Sequence, residues 1–235
     1  MTYVISDLHG WPVKNVLALL QRAGFSDEDV LYVLGDVIDR GKEGIELLRW
    51  MAAQPNVRFI MGNHESMMCA CAFLFTGEKV SPNGELALTE DELLMVYNWL
   101  GNGGRPTLEA FVDLIGQSVE EAQKVLDYIR KAALFARVRV ADRKFILVHG
   151  GLDNFSADRA LEDYAPEELV WARPEIDTKY YDDATVIFGH TPTLFYGEEY
   201  RGRPVYTDTW ICIDAGAAAG LCPVLLRLED MKEFY

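Results

Sequence analysis

Short apolar runs alternate with amphipathic stretches through the first part of the chain. Residues 3–6 (Tyr-Val-Ile-Ser) read as a strand, and 13–22 as a helix by the spacing of its apolar positions. Residues 30–34 (Val-Leu-Tyr-Val-Leu) are continuously apolar, the pattern of a strand buried on both faces. A helix follows at 44–51 and another strand at 57–61. This βαβαβ rhythm, with strands starting about every 27 residues, predicts a mostly parallel sheet. Each strand ends in a polar residue, and in open α/β sheets the chemistry gathers at those carboxyl ends.

Residues 66–135 have a different texture. Thr89-Glu90-Asp91-Glu92 and Ser118-Val119-Glu120-Glu121 have the form of capping boxes that open helices, and Asn102-Gly103-Gly104 is a helix stop. No Pro/Ser-rich linker bounds the region. It reads as a helical excursion within a single domain spanning 1–235. Beyond it, 137–140 and 144–148 form a predicted hairpin across Ala141-Asp142-Arg143. Further strands are expected at 185–188, 205–206, 211–213 and 224–228.

Composition narrows the class. Half of the 235 residues are apolar and 25% are charged, the balance of a chain with a full core and an ordinary surface. No apolar run reaches the ~20 residues that cross a bilayer. The first polar cluster, Asp7-Leu8-His9-Gly10, follows a single strand, which leaves no room for a leader and points to the cytoplasm. The net charge is -15 with no Lys/Arg cluster, so neither a nucleic acid nor an anionic membrane is an expected partner. Such a chain binds phosphate only where the field is locally reversed, and cations held by carboxylates would do that. Cys69, Cys71, Cys212 and Cys222 form no CxxC pair and read as buried free thiols.

The chain has four histidines, His9, His64, His149 and His190, and each follows a predicted strand in a short Gly-containing turn. Asp7 and His9, two residues apart at a strand end, point the same way. One cation can take Asp7, His9 and Asp36. A second can take Asp36, Asn63, His149 and His190, with Asp36 bridging. Mixed oxygen and nitrogen ligation suits Mn²⁺, Fe or Zn²⁺ better than Ca²⁺ without choosing among the three, and two Mn²⁺ ions are the working expectation. A hydroxide bridging two such ions would attack phosphorus in line. His64, the one histidine outside the ligand set, is the candidate acid for the leaving group, with Asp39 holding it charged. Arg40 is expected to clamp the phosphate together with Asn63 and His64, and Glu65 to orient Arg40.

Asp7-Leu8-His9-Gly10, Gly35-Asp36-Val37-Ile38-Asp39-Arg40-Gly41, Gly62-Asn63-His64-Glu65, His149-Gly150-Gly151 and Gly189-His190-Thr191 together resemble the phosphoprotein phosphatase family of calcineurin-like metallophosphoesterases. The likeness is to its bacterial and phage-lambda-type branch, in family order, and Asp214-Ala215-Gly216 resembles the family's C-terminal loop. The resemblance implies an α/β fold with a central β-sandwich flanked by helices, in α/β/β/α layers. It also implies a second phosphate-binding arginine, Arg173, in Trp171-Ala172-Arg173. Trp99 reads as core, and Asn102-Gly103-Gly104-Arg105 as a turn that also occurs near the pocket of bacterial relatives.

The resemblance implies a dimetal phosphomonoesterase, a protein phosphatase for phospho-Ser/Thr with phospho-Tyr also open. The alternative is a symmetrical diadenosine tetraphosphatase or another small-molecule phosphohydrolase. Relatives of that kind typically lack the acid at Asp39 and carry Asp at Glu65; both residues are present here, which favours the monoesterase.

Overall fold

The computed structural model describes residues 1–76, 79 and 87–235. Two five-stranded sheets are stacked. The first has strand order β10-β9-β1-β2-β3, from Lys232–Phe234, Leu225–Arg227, Thr2–Ile5, Val30–Leu34 and Val57–Ile60. The second has order β4-β5-β6-β8-β7, from Phe135–Val140, Arg143–Val148, Thr185–Phe188, Trp210–Cys212 and Val205–Tyr206. Each sheet has three parallel strands flanked by antiparallel ones: β1, β2 and β3 in the first, β5, β6 and β8 in the second.

Period-two alternation decides what each strand faces. Val4, Leu34, Phe145, Leu147 and Ile187 meet between the sheets, with Leu226 and Ile211. Their neighbours Tyr3 and Ile5 turn outward to the helices α1 (Val13–Ala23) and α2 (Gly44–Ala52), whereas Ile146, Val148, Val186 and Phe188 turn to the opposite outer face. The helical layer on the first sheet is thick. It also holds α3 (Asn63–Ala70), α4 (Glu90–Gly101), α5 (Arg105–Gln117) and α6 (Val119–Arg130). The layer on the second sheet is thin, made by α7 (Pro166–Val170), short 3-10 turns and loops.

The expected elements appear at their expected places, with ends shifted by a residue or so. Periodicity alone read one mostly parallel sheet; the strands instead make the two stacked sheets that the resemblance implied, because a run buried on both faces looks the same in one sheet or a stacked pair. Residues 63–65, outside the expected excursion, join 66–70 in α3, and α7 at Pro166–Val170 and an edge strand at 232–234 carried no expectation. Thr89 and Glu92 complete a reciprocal capping box, while at Ser118 only the hydroxyl half is made, accepting from Glu121 N at 3.2 Å. The helical excursion expected at 66–135 includes residues 77, 78 and 80–86, which lie outside the described residues. Among the described residues no helix is long and apolar enough to cross a membrane. The four cysteines are free, Cys71 and Cys212 buried, Cys69 and Cys222 half-buried.

Candidate dimetal site

Parallel strands in both sheets end on the same side, and their end turns deliver the polar residues. β1 leads to Asp7 and His9, β2 to Asp36, Asp39 and Arg40, and β3 to Asn63 and His64 at the start of α3. From the second sheet, β5 leads to His149, β6 to His190 and β8 to Asp214. Asp7, His9, Asp36, Asp39, Arg40 and His190 all have φ between 43° and 69°, six of the nine such non-glycine residues among those described. A left-handed residue with a side chain costs roughly 1–2 kcal/mol. Such strain concentrated on one loop cluster marks a site held by its surroundings. The flanking glycines are steric necessities: a Cβ at Gly62 would collide with the Asp36 carboxylate, and one at Gly189 with that of Asp7.

Asp36 stands at the centre. Its Oδ2 lies 3.6 Å from His9 Nε2 and 3.7 Å from His64 Nε2, and its Oδ1 lies 3.3 Å from His149 Nε2. Two groups of donors could therefore hold a metal ion, His9-Asp36-His64 and Asp36-His149-His190, with Asp36 in both. Ring orientations are fixed from behind. Nδ1 of His9 is 3.1 Å from Ile38 O, and Nδ1 of His149 is 2.6 Å from Leu34 O. A carbonyl accepts only an N–H, so in each neutral ring the Nε2 lone pair faces inward. His149 Nε2 then meets Asn63 Oδ1 at 2.9 Å as well as Asp36. Buried Nε2 of His190 has no hydrogen-bond partner among the described residues. Converging lone pairs in a buried site call for a cation.

The electrostatics agree. Burial pushes His9 down to about 3 and also lowers His149 and His190, keeping these imidazoles neutral, the form that binds metal. His64 moves the other way: burial opposes its charge, but the Asp36 and Asp39 carboxylates raise it above the ordinary value. Its Nδ1 is 2.6 Å from Asp39 Oδ2. Buried carboxylates crowd the rest of the site. Burial and neighbouring Asp214 and Asp36 push Asp7 well up, and Asp214 rises to about 7 chiefly through burial.

The expected site residues gather here in unequal positions. His9, Asp36, Arg40, Asn63, His64, Arg173 and His190 line one cavity of about 250 Å³, with Asn102, Trp171, Pro192 and Phe195 at its walls. Asp39 and His149 stand behind it, bonded to His64 and Asn63. Asp7 lies outside both three-donor groups, its carboxylate accepting from His190 N at 3.0 and 3.1 Å. Arg40 reaches into the cluster, its Nη1 2.9 Å from His9 Nε2, where a positive group rests on that lone pair, and its Nη2 3.2 Å from His64 Nε2. Arg173 donates to His190 O at 3.2 Å.

Glu65 does not orient Arg40. Its oxygens accept from the backbone N–H groups of Asp36, Val37, Ile38 and Gly62 at 2.8–3.3 Å, pinning the Asp36 turn to α3. A carboxylate facing four inward N–H groups has no free lone pair for a guanidinium. Trp99 is core, as read, and also bonds to Asp39 through Nε1 at 2.9 Å. Asn102-Gly103-Gly104 ends α4 and contributes as well, since Gly103 O accepts from Arg40 N at 2.9 Å. The Thr107 hydroxyl, which accepts from Asp39 N at 2.8 Å, carried no sequence signal.

The family model for calcineurin-like phosphoesterases matches residues 2–217. The chain belongs to this family. Among curated proteins the chain is similar to the symmetrical bis(5'-nucleosyl)-tetraphosphatase of Salmonella typhimurium, 36% identical over 108 residues, 42% of this chain and 36% of that protein. The protein of the same name from Buchnera aphidicola subsp. Baizongia pistaciae is 32% identical over 102 residues, with the same two coverages. The chain thus spans about a third of the length of these curated relatives. Among solved structures, a candidate diadenosine tetraphosphatase superposes with a TM-score of 0.64 at 15% identity, over 99% of this chain and 90% of that one. A protein serine/threonine phosphatase from Saccharomyces cerevisiae gives 0.56 at 16%, over 95% and 71%. At such identities the likeness is one of fold. The family and the two stacked sheets agree with the resemblance seen in the five motifs.

Proposed function

We propose that the chain is a dimetal phosphohydrolase whose first substrate class is a dinucleoside polyphosphate, cleaved at a phosphoanhydride bond. The observation that carries the reaction is the two-sided placement of Asp36, whose Oδ2 faces His9 and His64 while its Oδ1 faces His149. Asp7, His9 and Asp36 would hold one divalent cation, and Asp36, Asn63, His149 and His190 the other, with Mn²⁺, Fe or Zn²⁺ fitting the donors. Two bound cations supply an activated water and neutralise phosphoryl charge.

The side chains do the rest. Arg40 and Arg173 both line the cavity, where their guanidinium groups can grip phosphate oxygens beside Asn63 and His64. His64, held by Asp39 through Nδ1, presents Nε2 to the cavity and donates a proton to the departing oxygen. Asp39 fixes the ring and favours its charged form.

The names of the curated relatives support the dinucleoside substrate. A second reading, a phosphomonoesterase for phospho-Ser/Thr or phospho-Tyr proteins, is favoured by one observation, the 2.6 Å bond between Asp39 and His64. A serine alkoxide needs a proton to leave, while a nucleoside diphosphate departs readily without one. Turnover of diadenosine tetraphosphate, phosphoserine and phosphotyrosine peptides, and nitrophenyl phosphate, measured side by side with Mn²⁺, tests both. Higher kcat/KM on the tetraphosphate supports the first reading and higher values on a peptide the second. No turnover of any of them by metal-loaded protein would sink the reaction itself.

A further inference from the structure

The two walls of the site cavity differ in chemistry. Loops of the first sheet and the end of α4 contribute polar groups, including Arg40, His64 and Asn102, whereas loops of the second sheet add to Arg173 and His190 the apolar Trp171, Pro192 and Phe195. Phe195 is 75% exposed and Trp171 40% exposed. The Trp171 ring stands edge-on to that of His190, with centroids 5.7 Å apart at 90°, so the aromatic wall begins one side chain from the cation site.

Exposed apolar residues scattered singly need no explanation. Here two aromatic rings share one wall with Arg173, and the turn carrying Phe195 is anchored from beneath. Within Thr193–Tyr196, Thr193 is buried, and Tyr196 packs on Trp210 with centroids 5.4 Å apart while its hydroxyl donates to Pro174 O at 3.0 Å. Phe195 is thus the outward ring of a fixed turn.

We infer that Trp171 and Phe195 form the wall on which the base of a nucleoside phosphate rests while Arg40 and Arg173 take its phosphates. The inference deepens the phosphohydrolase reading and rests on it for the place of the phosphate. Stacking a base on an aromatic side chain changes affinity by roughly tenfold to a hundredfold.

Calorimetry on the Mn²⁺-loaded protein tests the wall without turnover. The probes are adenosine 5'-(α,β-methylene)diphosphate and methylenediphosphonate, which lacks the nucleoside. The nucleotide should bind the unsubstituted protein at least about tenfold tighter. Phe195→Ala and Trp171→Leu should each remove most of that advantage and leave the diphosphonate unchanged, and Phe195→Tyr, which keeps a ring, should retain it. Equal binding of the two probes, or nucleotide affinity unchanged in both ring-removing variants, overturns the inference and assigns these rings to a macromolecular partner or to none. Base-dependent binding in a protein that hydrolyses none of the substrates above would sink the reaction and leave the wall standing. Turnover with base-independent binding would do the reverse.

Discussion

Oδ2 of Asp39 accepts two hydrogen bonds at once, from Nε1 of Trp99 at 2.9 Å and from Nδ1 of His64 at 2.6 Å. Trp99 belongs to α4, and Thr107 of α5 accepts from the Asp39 backbone at 2.8 Å. Helices inserted between the strands of the two sheets therefore reach the site from behind, through Asp39. Trp99→Phe keeps an aromatic ring, smaller than indole, and removes the donor. It should cost at least about 1 kcal/mol of stability by urea unfolding. It should also lower turnover more on phosphoserine peptide than on nitrophenyl phosphate, because Asp39 would be freer to turn away from His64. An unchanged ratio between the substrates would leave Trp99 with packing alone.

His64 is separated from the other histidines by what it does to different leaving groups. Proton donation matters in proportion to the leaving group's need, so His64→Asn should keep bound metal and lose up to ~10²–10⁴-fold more rate on a serine phosphate than on nitrophenyl phosphate. Asp39→Asn should show a weaker form of the same bias. Equal losses, with chemistry rate-limiting on both substrates, would take His64 out of that role.

Asp36 is the one residue common to both donor groups. Asp36→Asn should abolish most metal uptake by elemental analysis. A ligand that binds the folded state alone raises its stability by mass action, so Mn²⁺ should raise the melting temperature of the parent protein and leave that of the variant nearly unmoved. Two ions retained at parental affinity in the variant would break the bridging assignment.

Glu65 joins four backbone N–H groups through its two oxygens. Glu65→Gln turns an amide NH₂ toward two of those donors. With each unsatisfied buried donor costing about 1–3 kcal/mol, the variant should lose about 2–6 kcal/mol in denaturant unfolding and bind metal more weakly. A loss below the error of the measurement would mean that the turn keeps its shape without the carboxylate.

Burial raises the Cys69 thiol to about 11. A raised thiol pKa means that the reactive thiolate is scarce below it, so the sign is slow alkylation at neutral pH and faster reaction as pH climbs. Iodoacetamide labelling of Cys69 in the native protein should run about a hundredfold slower at pH 8 than that of an ordinary thiol of pKa near 8.5. It should gain roughly tenfold per pH unit up to 11. Fast native labelling at pH 8, read by mass spectrometry, would contradict the buried environment.

The sequence by itself determined the local elements and the chemistry at their ends. Apolar periodicity marked β1, β2 and β3 to within a residue or so, and the turns after them carried Asp7, His9, Asp36, Asn63 and His64 in readable order. Those signals survive in one dimension because backbone period and turn chemistry act between near neighbours. Only the tertiary structure decided which distant groups meet. His149 reaches Asn63 across 86 positions, and Trp99 reaches Asp39 across 60. The aim of Arg40 at His9 and His64 and the closure of Glu65 on backbone N–H groups belong to the same class. Each depends on how whole elements pack, and a side chain's partner is fixed by the geometry of that packing, which no local pattern records.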